Sequence, residues 1–284
     1  MVADTAQPAG IRLLHHWACS GGTLLSRCLA AHPTVVLLSE VHPLAYLRVS
    51  TPHPYYAPTD LIQQLSLPHN GRDPVLCLAA FNGAIEALDQ QLSAEGRTLV
   101  LRSHSHVDFF SGVLPADAPL LSTSLSARHQ LHQLLSVRHP LDSWLSLCQQ
   151  GWQKQFCFSS LAEFCRRALA MLSACNGMAL VRYEDFCLAP DQGLTLMAEA
   201  LQLPLQPDLQ GQLADIQISG DSGRRDSSIG VRPRRPIPHQ LAWELSSLMD
   251  AAESPYLQLC DQLGYNPDPS AAHPFTTTPA PWHH

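Results

Sequence analysis

The sequence is short of charge. Of its 284 residues only 14% are Asp, Glu, Lys or Arg, and the balance is acidic, −7 at neutral pH. A chain that grips nucleic acid through its phosphates carries a basic excess, so that class is disfavoured and no nucleic-acid partner is expected. No apolar run reaches the ~18 residues of a membrane-spanning helix, so no membrane span is expected. The opening stretch MVADTAQPAG lacks the basic-then-apolar pattern of a secretory leader. None of the nine scattered cysteines forms a C-x-x-C pair. Together these features predict a cytoplasmic protein with reduced thiols, most of them small core residues. No internal repeat occurs. Fifteen histidines are present, in clusters such as His15-His16, His104-x-His106 and His129-x-x-His132. None of these joins cysteines or carboxylates at a metal-site spacing, and no metal is expected.

Apolar content is ample, at 45%, which is enough for one full core. The expected organisation is a flexible N-terminus over 1–10, a single domain over 11–266, and a disordered Pro/Thr/Ala-rich tail over 267–284. The domain is organised around Ile11 to Glu40. An apolar run, Ile11 to Trp17, reads as a buried strand. The small-residue turn Ala18-Cys19-Ser20-Gly21-Gly22-Thr23 follows, and apolar residues then recur at helical spacing from Leu24. A second strand runs from Val35 to Leu38. This is a βαβ unit, which predicts an α/β fold with a central parallel sheet. The turn has the makings of an anion site. Early N–H groups of a helix lack internal partners and carry partial positive charge, and glycine lets backbone approach closely. The hydroxyls of Ser20 and Thr23 add donors. The turn is not a Walker A loop, because Gly22 stands where that motif needs lysine, so an ATP-using kinase is disfavoured.

Further strands are predicted at Thr98–Arg102, Leu131–Val137 and Met178–Tyr183. Helices are predicted over Asp60–Leu67, Asp73–Ala94, from Pro140, over Ser160–Ser173 and Gln192–Leu201, and through Pro238–Gly264 with a break at Pro255. Ligands of open α/β sheets sit beyond the carboxyl ends of strands. The residues found there are Ser103 to His106, Arg138 and Tyr183. The stretch Ile218 to Pro238 concentrates arginines, including Arg224, Arg225, Arg232, Arg234 and Arg235, which suits an anion clamp. The aromatics Tyr46, Tyr55, Tyr56, Phe109, Phe110, Trp152 and Phe156 suggest a partly apolar pocket.

This ordered set resembles the sulfotransferases that use 3′-phosphoadenosine 5′-phosphosulfate. Cys19-Ser20-Gly21-Gly22-Thr23-Leu24-Leu25 is similar to the family's 5′-phosphosulfate loop, in its bacterial R-S-G-G-T-L-L form. Arg138 and Ser146 resemble its 3′-phosphate motif. Arg102-Ser103-His104 resembles the K-T-H segment that carries the catalytic histidine, Tyr183-Glu184-Asp185 its Y-E-D segment, and Gly220 to Arg224 its late glycine–arginine loop. The resemblance spans roughly 11–235. It implies a three-layer α/β/α fold like that of P-loop NTPases, and sulfuryl transfer without a metal to a hydroxyl or amine of a small-molecule or glycan acceptor. Donor-binding residues would be Cys19, Ser20, Gly21, Gly22, Thr23, Leu24, Arg138, Ser146, Tyr183, Gly223 and Arg224. The base would be His104 or Glu40, with His104 preferred. The departure is Cys19, where the family has Lys or Arg. Arg27, Arg102 and His16 are candidates to restore that charge. A catalytically impaired homologue that binds adenosine 3′,5′-bisphosphate or a partner is the alternative. The sequence sets neither the acceptor nor the oligomeric state.

Overall fold

The computed structural model describes residues 10–45, 61–66, 71–111, 119–155, 158–204, 213, 216, 218, 229–271 and 274–275. Five strands, β1 (Ile11–His16), β2 (Val35–Val41), β3 (Thr98–Ser103), β4 (Leu131–Val137) and β5 (Ala179–Arg182), form one sheet in the order β2-β3-β1-β4-β5. Every pairing is parallel. Parallel strands require crossovers, and helices supply them: α1 (Gly22–Ala30) leads from β1 to β2, and α2 (Leu61–Leu65) and α3 (Pro74–Ala94) lead from β2 to β3. Asp73 caps α3, accepting from Val75 N at 2.8 Å, and Pro74 fits its first turn.

Both sheet faces are covered, which is why the strands read as unbroken apolar runs. On one face Ile11, Leu13, Leu99 and Leu101 pack against α3 and α5 (Leu120–Ser126) through Phe81, Ile85, Leu121 and Leu125. Further along the same face, Leu135 and Val137 meet α6 (Pro140–Gln149), α7 (Leu161–Ala174), α10 (His239–Asp250) and α11 (Pro255–Leu263). On the other face Leu14, Val100, Leu134 and Val181 meet α1 and α9 (Pro190–Ala200) through Leu25, Cys28 and Met197. The result is the expected three-layer α/β fold. Every described cysteine is a free thiol. Among the described residues no helix is long and apolar enough to cross a membrane.

Several elements differ from expectation. Tyr183 does not end a strand; it opens the short helix α8 (Tyr183–Leu188). Its ring is thereby laid back toward the first turn of α1. The small helices α4 (His106–Phe109) and α5 carry too few residues to display a period. Beyond Pro267 the chain packs back: Asn266 N donates to Pro274 O at 2.7 Å, and the Arg182 guanidinium lies 4.3 Å from the Phe275 ring. One late aromatic gives this segment an anchor that composition alone conceals.

Candidate functional site

The connections leaving β1 and β4 run to opposite sides of the sheet, so a crevice opens where their carboxyl ends lie side by side. The loop after β1 lines it. Cys19 adopts φ 62 and Gly21 φ 88, so the backbone curls through two left-handed residues before α1 begins. Glycine is needed at 21 on two counts: its φ, and a Cβ there would collide with the Tyr183 ring. At Gly22 a Cβ would lie 2.7 Å from His16 Cγ, so the helix start rests on that imidazole. No side chain caps α1 at its start. The first-turn N–H groups around Gly22, Thr23 and Leu24 are therefore presented without a side-chain acceptor from the cap.

Ser20 departs from its expected role. Its hydroxyl is fully buried, 2.9 Å from Trp17 O and 3.2 Å from Ser136 O, and Ser136 Oγ donates back to Ser20 O at 3.1 Å. It fastens the loop to the tips of β1 and β4.

Arg138 stands at the tip of β4. One guanidinium nitrogen donates to Ser146 Oγ and to Cys19 O, each at 3.3 Å. The group lies 4.9 Å from the Tyr183 ring centroid. Its Nε is buried and makes no hydrogen bond, with Glu184 Oε1 3.9 Å away. Glu184 is itself engaged by His139 N at 3.1 Å and Tyr265 O–H at 2.7 Å. Burial pushes the Glu184 carboxyl above its ordinary value, against the pull of Arg138. Arg138, Ser146 and Tyr183 thus converge on the loop. Gly223 and Arg224 lie outside the described residues.

The second half of the site is at the tips of β2 and β3. The pairing register of these strands shifts between Leu38 and Val41, and inside that irregularity Glu40 takes φ 60. A non-glycine residue in this region is strained, and such strain gathers at functional sites. His104 N donates to Val41 O at 3.0 Å, extending the ladder by one residue. That places His104 Nδ1 2.7 Å from Glu40 Oε2. The two candidate bases are therefore one unit.

Arg102 holds Glu40 from behind. Its Nη2 lies 2.6 Å from Glu40 Oε1, its Nε donates to His16 Nε2 at 3.0 Å, and its Nη1 to Ser39 Oγ at 3.0 Å. Burial alone would raise the Glu40 carboxyl; with His16 neutral, the contacts to Arg102 and His104 are what outweigh burial and hold the group below its ordinary value. His16 accepts from Arg102 at Nε2 and lies 3.0 Å from Trp17 O at Nδ1. The proton is thus assigned to Nδ1, and burial first, then the Arg102 charge, keeps the ring neutral by lowering its pKa.

The three residues near the loop that could carry charge are placed as follows. Arg102 is neutralised by Glu40, and His16 is neutral. Arg27 is on the last turn of α1, about 8 Å along the axis from its start.

No protein-family model matches this sequence, and no curated protein matches it. Among solved structures, the sulfotransferase domain from the Synechococcus PCC 7002 olefin synthase is similar over 94% of this chain and 98% of its own, at TM-score 0.52 and 22% identity. The chain shares its fold with that sulfotransferase domain. A sulfotransferase from Alicyclobacillus acidocaldarius is also similar, over 90% of this chain and 95% of its own, at TM-score 0.46 and 14% identity.

One residue beside the dyad was not singled out for a role by sequence reasoning. His106 lies against His104 in a tilted arrangement, centroids 3.5 Å apart and planes inclined at 44°. Burial, then the His104 charge, holds its pKa well below the ordinary value. The H-x-H spacing was visible, but the carboxylate completing the group is on another strand.

Proposed function

We propose that this protein transfers a sulfuryl group from 3′-phosphoadenosine 5′-phosphosulfate to a hydroxyl or amine of a small-molecule or glycan acceptor. The observation that carries this reading is a continuous chain of contacts from anion loop to base. Gly22 rests on His16, His16 accepts from Arg102, Arg102 pairs with Glu40, and Glu40 with His104. A loop suited to an anion and a carboxylate-backed imidazole are thereby fixed in one rigid frame.

The donor fits the residues present. The uncapped start of α1 offers N–H groups to a 5′-phosphosulfate, and the orphaned, buried Arg138 Nε is a charged donor awaiting an acceptor. Arg138 and Ser146 would hold the 3′-phosphate, and Tyr183 would flank the nucleotide. The donor supplies the activated sulfur. Everything else falls to the chain. The Glu40 carboxylate, 2.7 Å from His104 Nδ1, favours a proton on that nitrogen and so leaves the Nε2 lone pair to take the acceptor's proton as the acceptor oxygen or nitrogen bonds to sulfur and the sulfur–oxygen bond to the departing phosphate breaks. The α1 N–H groups stabilise the charge left on the departing phosphate.

Isotope-labelled donor, incubated with a panel of hydroxyl and amine acceptors, tests the reading. Label transfer that falls at least a hundredfold in His104→Ala supports it; no transfer to any acceptor, or transfer unchanged in His104→Ala, overturns it. One observation favours a second reading. Cys19 leaves the loop without its usual cation, which suits a homologue that binds adenosine 3′,5′-bisphosphate but turns over slowly or not at all.

A further inference from the structure

We propose that Glu40, His104 and His106 form an exchangeable binding site for a borderline divalent cation of the Zn2+ class. One ligand atom from each residue lies within 4.8 Å of the other two. His106 Nδ1 is buried and has no hydrogen-bond partner. Leaving a buried polar atom unsatisfied is costly, and coordination through that nitrogen would remove the cost. Two imidazoles and a carboxylate are the ligand types such cations prefer.

The segment bearing the histidines is rigid. Ser105, between them, donates its hydroxyl to His16 O at 2.9 Å and is fully buried, so the H-S-H stretch is pinned to β1. The carboxylate is oriented from outside the ligand set: Arg102 occupies Oε1 and leaves Oε2 toward the histidines. Support of a ligating carboxylate by a hydrogen bond is usual in metal sites. The positive charge of Arg102 opposes the cation, which is why the site is exchangeable and unlike a closed four-ligand structural zinc site. His104 is 30% exposed at its side chain, which gives the ion a way in. Only the three protein ligands are fixed, so further positions remain for water.

Coordination competes for the Oε2 that otherwise holds His104. On the sulfotransferase reading, the metal-loaded protein therefore lacks a free base and is inhibited. That consequence rests on the proposed function; the binding does not.

The test is a Co2+ titration of the full chain followed by visible absorption, with Zn2+ binding measured by calorimetry in the absence of donor and acceptor. The expected result is one equivalent bound. Affinity falls about tenfold or more in His106→Asn and in Glu40→Gln, and is unchanged in His239→Ala, which removes an exposed histidine elsewhere. His106→Ala with an unaltered melting temperature provides a second check against misfolding. Absence of Co2+ bands in the wild type overturns the proposal, as does equal binding by the His106 variants, which would place the ion on other histidines.

Discussion

The two halves of the site are built by opposite means. At the β1–α1 loop the side chains turn inward: Ser20 fastens the loop to the sheet, and Gly21 has no Cβ because Tyr183 fills the space. What faces outward is main chain. At the tips of β2 and β3 the main chain is the support, one strained residue and one extra ladder bond, and the chemistry is in side chains: Arg102, Glu40, His104 and His106. Backbone suits an anion whose place must be fixed. Ionisable side chains suit a proton that must move. Damage to the first half should therefore appear as lost binding or stability, and damage to the second as lost turnover.

The largest expected separation comes from His104→Ala. Removing a positioned base should lower transfer about 10²–10⁴-fold while nucleotide affinity changes less than about twofold, read by steady-state kinetics beside calorimetry. Glu40→Gln should fall in the same class with a smaller loss, because the imidazole remains but loses its anionic partner.

The framework beneath Arg138 predicts a pH effect. His139 donates from Nε2 to Asn266 O and accepts at Nδ1 from Leu141 N, so it is buried neutral. Burial first, then the charge of Arg234, lowers its pKa to about 4. The unfolded chain binds this proton more readily. Stability is full above about pH 6.5 and is lost as pH falls toward 4, by at most about 3 kcal/mol. Urea unfolding between pH 7 and 4.5 should show the loss, and His139→Gln should flatten it.

Gly21→Ala should cost about 2–4 kcal/mol, from a left-handed backbone and the collision with Tyr183. Gly71→Ala, also at positive φ but in open space, should cost only about 1–2 kcal/mol. Equal losses at both positions would remove the Tyr183 packing from the account. At the small end, Cys19→Lys should raise kcat roughly tenfold on the proposed reaction, since it brings a cation to the loop itself. An unchanged kcat would mean that the thiol position has no part in turnover.

Much of this was legible in the sequence because it is local. The strand–turn–helix of Ile11 to Ala30, Pro140 at the start of α6 and Arg138 at a strand tip all follow from spacing and turn chemistry. The rest depends on strand adjacency. Glu40 and His104 are far apart in sequence, and only the parallel pairing of β2 with β3 makes them neighbours. The inward turn of Ser20 needs Ser136 of β4 beside it, and Tyr265 finds Glu184 only after the C-terminal segment folds back. Tyr183 reads as the end of a strand because it closes the run that opens with the apolar Met178 to Val181; its place at a helix start, against Gly21, is a tertiary fact. Gly223, Arg224 and Arg225 lie outside the described residues and stay an expectation; of the same basic stretch, Arg234 is described and pairs its guanidinium with Asp142, at 3.0 and 3.1 Å, and not with an open anion site.

The most direct test of the central claim is a calorimetric titration of adenosine 3′,5′-bisphosphate, with ATP as control, into the wild type, Arg138→Ala and His104→Ala. The account predicts selective binding, weakened about 10- to 100-fold in Arg138→Ala, where a charge-assisted contact is lost, and unchanged in His104→Ala. No binding, an equal response to ATP, or equal weakening by both substitutions would contradict it.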